Sequence, residues 1–169
     1  LSLTAVLCLI LGMGLPTTAN YIVVATLMAP VIVELSANIG LAVPLIAAHL
    51  FVFYFGLMAD VTPPVGLASF AASAISGASP IATGIRSFRY EIRTAILPFV
   101  FVFNTQVLLI GVDHFAHVSI TIASVILAML VFVAATQHWF LVRSRIWETA
   151  ALLLVCFTLL RPGFFMDMI

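Results

Sequence analysis

The chain has 169 residues, of which 64% are hydrophobic and 7% charged, with no net charge. A soluble domain carries roughly 25% charged residues, so these proportions and a mean hydropathy of +1.32 mark an integral membrane protein. All six basic residues are arginines, scattered in two small clusters and a lone Arg161. That leaves no basic surface for nucleic acid. No nucleophile–base pair, metal motif or phosphate loop appears, which argues against an enzyme and implies no cofactor. Cys8 and Cys156 stand apart within apolar runs and read as small buried hydrophobes.

In chain order, Leu1 to Leu11 is an apolar run too short for the roughly 20 residues of a full crossing. Gly12-Met13-Gly14-Leu15-Pro16-Thr17-Thr18-Ala19-Asn20 interrupts it, and Tyr21 to Leu35 follows. Two half-length segments joined by a polar tip predict a re-entrant helical hairpin over 1–35, the alternative being one long helix kinked at Pro16. Glu34, Ser36, Asn38 and Gly40 mark a surface loop. At about 1.5 Å per residue, an unbroken helix over 41–76 would far exceed the ~30 Å hydrocarbon core. The second interruption, Ala59-Asp60-Val61-Thr62-Pro63-Pro64-Val65-Gly66, therefore predicts a broken transmembrane helix. Residues 1–76 form a transport portion, and 77–93 a basic linker whose Arg86, Arg89 and Arg93 anchor to headgroups. Residues 94–169 supply three further transmembrane helices over 94–111, 118–142 and 146–160. The fold class is all-α. The start at Leu1 within an apolar run, and the end without a polar tail, predict a piece of a longer polypeptide.

Positive charge favours the cytoplasmic side of short loops. With Arg86, Arg89 and Arg93 inside, the polar turn at Asp113, His114 and His117 falls outside, and Arg143 with Arg145 falls inside again. The hairpin then enters from the outer face, and Arg161 is a mild exception. A hairpin followed by a broken crossing is the pattern of one half of an inverted-repeat transporter, whose site lies where helices are discontinuous.

Proline lacks an N–H and clashes with the carbonyl four residues earlier. Pro16 thus frees the Gly12 carbonyl, and Pro63 and Pro64 free those of Ala59 and Asp60. Carbonyls in a dry setting are hard ligands for a small cation such as Na⁺. The hydroxyls of Thr17, Thr18 and Thr62, the Asn20 amide oxygen and the Asp60 carboxylate supplement them. The Na⁺ candidates are Gly12, Thr18, Ala59, Asp60 and Thr62. The breaks also create helix starts, with Thr62 as N-cap and Pro63 as first helical residue, where unpaired N–H groups favour anions. Such ends suit cation-coupled uptake of a carboxylate. An intramembrane carboxylate is functional by default, whereas His49 reads as a satisfied interior histidine.

Gly12 to Tyr21, Phe53 to Ala68 with its Thr62-Pro63-Pro64-Val65-Gly66 string, and Phe88-Arg89-Tyr90-Glu91 through Pro98-Phe99 resemble the large permease of tripartite ATP-independent periplasmic (TRAP) transporters. The similarity is to the fused permease type associated with TAXI-class binding proteins and covers most of 1–111. The resemblance implies an elevator-type secondary transporter of a bacterial or archaeal inner membrane. It implies uptake driven by an ion gradient, usually Na⁺, of an organic acid delivered by a periplasmic solute-binding protein. Its partners would include the remaining N-terminal part of the permease. By position, the hairpin tip corresponds to Gly14, Pro16, Thr17, Thr18 and Asn20, and the broken-helix loop to Asp60, Thr62, Pro63, Pro64 and Gly66. A carrier of similar architecture without a binding protein, and a non-transporting membrane scaffold, are the alternatives.

Overall fold

The computed structural model describes residues 1–111, 115–140 and 142–160. The polar turn at Asp113 and His114 and the chain from Arg161 onward lie outside the described residues, as do the side chains of His117 and Arg143. The chain divides into two compact units, Leu1–Val102 and Phe103–Ile169.

The first unit is built around a central helix. Helix α1 (Ser2–Gly12), α2 (Thr17–Asn38) and α3 (Leu45–Ala59) pack together, with both α1 and α2 against α3. Small residues on α3, namely Ala47, Ala48, Gly56 and Ala59, are buried and let neighbouring backbones approach closely. Each partner contributes one stripe. On α1 it is Thr4, Ala5, Cys8 and Gly12; on α2 it is Asn20, Val24, Ala25, Ala29, Ile32 and Ser36. The opposite faces stay apolar yet exposed, as at Leu3, Ile10, Ile22 and Leu27, which suits contact with lipid rather than water. Phe99, from α6 (Ile96–Phe103), meets Phe51 and Phe55 edge-on, with ring centres 5.3 and 5.8 Å apart.

Helix α2 is 22 residues long and extends beyond the run predicted for the second hairpin arm at both ends. It stops where Gly40 takes φ +78°, a conformation favouring glycine, while the Leu41 N–H closes on the Ser36 carbonyl at 2.9 Å. Residues 41–76 do not form one helix: the chain leaves the helix between α3 and α4 (Leu67–Ser76). Helix α5 (Pro80–Glu91) follows, with Pro80 at its first turn.

The predicted span over 94–111 is a correction. It forms α6, only 8 residues long, and a 3-10 helix over Thr105–Leu108. Asn104 leaves the helical region at φ −130° and ψ 85°, and Leu109 turns left-handed at φ 60°. Eight residues rise about 12 Å, well short of a crossing.

In the second unit α7 (Phe115–Gln137) and α8 (Ile146–Leu160) pack side by side. Helix α7 ends before the predicted Val142. His138 takes φ 54°, and β1 (Trp139–Phe140) pairs antiparallel with β2 (Val142–Arg143). Glu148 accepts the Arg145 N–H at 2.7 Å, satisfying an open donor at the start of α8. Two helices among the described residues are long and apolar enough to cross a membrane, Thr17–Asn38 and Val118–Gln137.

Candidate functional site

Both interruptions are non-helical for identifiable reasons, and the fold brings them face to face. After Gly12 the chain extends at Met13, turns through Gly14 at φ +83°, and starts α2 from Pro16, whose φ of −57° and ψ of 145° make it the N-cap. Between α3 and α4, Thr62 to Gly66 close a turn through the Gly66 N–H and the Thr62 carbonyl, 3.0 Å apart, and the Pro63–Pro64 peptide is cis. A side chain at Gly66 would strike the Val61 carbonyl group at 2.9 to 3.0 Å, so this close return needs glycine.

One hydrogen bond ties the interruptions together, and a second ties the first of them to α3. The Thr17 hydroxyl donates to Asp60 Oδ2 at 2.8 Å. One turn along α2, the buried Asn20 donates from Nδ2 to the Gly56 carbonyl at 2.7 Å. The Asp60 N–H turns to the Leu57 carbonyl at 3.0 Å, so Asn20 serves the Gly56 carbonyl in the place of a helical donor. Gly12 sits directly over this amide. A Cβ there would come 2.5 Å from Asn20 Nδ2 and 2.7 Å from the Ala59 Cβ. Nearer the tip, a Cβ at Gly14 would lie 3.3 Å from Val65 Cγ1.

These contacts leave acceptors in excess. Asp60 Oδ1 and Asn20 Oδ1 are both buried without a hydrogen-bond partner. A buried acceptor lacking a donor costs free energy on the order of 1–3 kcal/mol, so a cation or an added donor is favoured here. A third such oxygen, Asn104 Oδ1, belongs to the second unit.

The carbonyls predicted to be free are each engaged. Gly12 accepts from the Leu15 N–H at 3.3 Å, Ala59 from Thr62 at 3.2 Å, and Asp60 from Ala68 at 3.0 Å. Tightened turns at Gly12 and Ala59, and the returning chain at Ala68 for Asp60, replace the helical donors that the prolines removed, and each carbonyl keeps a second lone pair. Thr62 does not cap a helix. Its hydroxyl donates back to the Met58 carbonyl at 2.6 Å, and α4 starts only at Leu67 with Gly66 as N-cap. Thr17 rather than Thr18 reaches Asp60. Gly14, Pro16, Thr18 and Pro64 are exposed, Gly12, Asn20, Ala59 and Gly66 are buried, and Asp60, Thr62 and Pro63 lie half-buried.

Four contributors escape sequence reasoning. Gly56 offers its carbonyl and a close approach, and a lone glycine in an apolar helix is the signal that could have found it. Ser69 holds the Val61 carbonyl at 3.0 Å, Val65 faces Gly14, and Gly84 of α5 packs on Pro63. His49 meets the Tyr21 hydroxyl at 3.0 Å through Nδ1, which gives this interior histidine a partner.

No curated protein and no solved structure matches the chain. Residues 118–169 match the model of a domain of unknown function, DUF3394. Residues 1–116 match the model described as tripartite ATP-independent periplasmic transporter, DctM component, and cover both interruptions and the whole first unit. The chain therefore belongs to the DctM family, the large membrane permease component of TRAP transporters.

Proposed function

We propose that the paired interruptions form one portion of a coupling-ion and substrate site in a permease of the fused, TAXI-associated type. The permease takes up organic acids delivered by a periplasmic solute-binding protein, driven by an ion gradient, with Na⁺ as coupling ion. The observation that carries this reading is the buried, unpartnered Asp60 Oδ1 beside a carboxylate oxygen already engaged by Thr17. An anionic oxygen among unwound backbone carbonyls and hydroxyls is a setting for Na⁺. The Asn20 amide oxygen and the spare lone pairs of Gly12, Ala59 and Thr62 offer further ligands of the same hard type.

In this reading α1 and the start of α2 are the arms of a hairpin entering from the outer face of a bacterial or archaeal inner membrane, with Gly14 near its tip. Helices α3 and α4 are the two halves of the broken crossing, and the first unit is one half of an inverted-repeat, elevator-type carrier. Arg86, Arg89, Arg93, Arg143 and Arg145 face the cytoplasm. Exposed Trp139, Phe140 and Trp147 beside Arg145 support an interfacial position for that turn, where aromatic rings concentrate.

The test is Asp60→Asn in the complete permease, reconstituted in liposomes with its binding protein and assayed with labelled succinate, glutamate and pyruvate. The expected result is loss of Na⁺-driven uptake by about tenfold or more, the scale of one charged hydrogen-bonding group, with a normal elution profile. Undiminished Na⁺-driven uptake would overturn the assignment, and uptake without the binding protein would favour a self-sufficient carrier.

A further inference from the structure

We propose that α5 is a docking surface for anionic phospholipid headgroups, and that headgroups held there steady the 60–66 loop through the contact between Gly84 and Pro63. The inference rests on the membrane location and not on the coupling-ion reading.

Arg86 and Arg89 stand three residues apart on α5, a spacing that places both on one side of the helix, and both are exposed. Arg93 follows just beyond the helix, its guanidinium 5.0 Å from the centre of the Tyr90 ring. Ile81, Ile85, Tyr90 and Ile92 are also about half exposed or more. A short helix that bares arginines and isoleucines together fits neither open water nor hydrocarbon. It fits the boundary between headgroups and acyl chains. Between residues 61 and 112 the only acid is Glu91, and burial raises its carboxyl above the ordinary value, disfavouring its charge. The patch is thus cationic, and an anionic leaflet complements it. The exposed isoleucines favour a lipid over an acidic peptide.

The same helix touches the candidate site. Helix α5 packs against α4, and Gly84 is buried against the loop. A Cβ there would come 3.0 Å from Pro63 Cγ and 3.8 Å from the Ser69 Cβ. No side chain cushions this contact, so a shift of α5 toward or away from the interface bears directly on Pro63. It also bears on Ser69, whose hydroxyl holds the Val61 carbonyl. Asp60 lies one residue before Val61. The lipid surface and the oxygen-rich loop therefore meet through one close contact, at Gly84 and Pro63.

The experiment uses the complete permease in nanodiscs of phosphatidylcholine alone, or with about one-third phosphatidylglycerol, the anionic leaflet that the arginines would recognise. Native mass spectrometry counts retained lipids, and a water-soluble maleimide labels a Val65→Cys variant to report on the loop. The parent should retain phosphatidylglycerol selectively. Arg86→Gln with Arg89→Gln should weaken that selection about fivefold per arginine. Labelling at position 65 should slow in the anionic discs, and the double substitution should abolish the difference. Equal retention of both lipids by the parent, or selection that survives the double substitution, would overturn the docking surface. A labelling rate indifferent to phosphatidylglycerol would overturn its hold on the loop. Neither readout measures uptake, so the result stands apart from the outcome of Asp60→Asn.

Discussion

Position 12 has no room for a methyl group. The Asn20 amide and the Ala59 methyl occupy the space a side chain would need, so Gly12→Ala must push α1 away from α3. Overpacking of this kind costs about 1–3 kcal/mol. The melting temperature of the purified permease should fall accordingly. Gly56→Ala tests the same cluster more gently, because its nearest contact would be 3.4 Å, and it should lower the melting temperature less. Glu91 acts in the other direction. It ends α5, where a negative charge opposes the helix dipole, and burial raises its carboxyl above the ordinary 4.5. A raised folded-state value means that this group's contribution is fully present below pH 4.5 and is lost as pH rises through that raised value. Glu91→Gln should therefore match the parent near pH 4 and melt higher at pH 7 and above.

At the scale of elements, the contact between α2 and the 60–66 loop depends on which threonine α2 turns toward α3. Thr17→Val should cost about 1 kcal/mol, the worth of one hydrogen bond. Thr17→Ser should restore it, and Thr18→Val should leave the melting curve unchanged. The choice between Thr17 and Thr18 was beyond sequence reasoning. Successive helical residues point about 100° apart, and composition alone does not reveal the phase of α2 against α3. The positions of the breaks were legible because glycine and proline crowd into Gly12–Pro16 and Pro63–Gly66, a density that disfavours helix far more than the single Pro30 that α2 accommodates. Their internal wiring was not. Removing a helical donor predicts a free carbonyl only if nothing closer replaces it, and here the Leu15, Thr62 and Ala68 N–H groups do. The break at Asn104 was hidden for a different reason. Asn104, Thr105 and Gln106 between Phe101-Val102-Phe103 and Val107 only modestly lower a hydropathy average, yet the φ of −130° at Asn104 ends α6.

Across the whole molecule, the two units carry different chemistry. In the first, the buried, unpartnered oxygens of Asn20 and Asp60 lie where the start of α2 meets the end of α3 and the 60–66 loop. In the second, α7 is apolar and mostly exposed along Val118–Gln137, as suits a helix facing lipid. The family models divide the chain between 116 and 118, so the DctM match holds every candidate site residue and the DUF3394 match holds the α7–α8 pair. The two interruptions are one structure joined through Thr17 and Asp60. A double-mutant cycle on the complete permease, combining Thr17→Val with Asp60→Ala and read by equilibrium unfolding in detergent, tests it most directly. A joined pair predicts a coupling energy of at least about 0.5 kcal/mol, with Thr17→Val costing little once Asp60 has gone. Effects that add to within about 0.3 kcal/mol would contradict it.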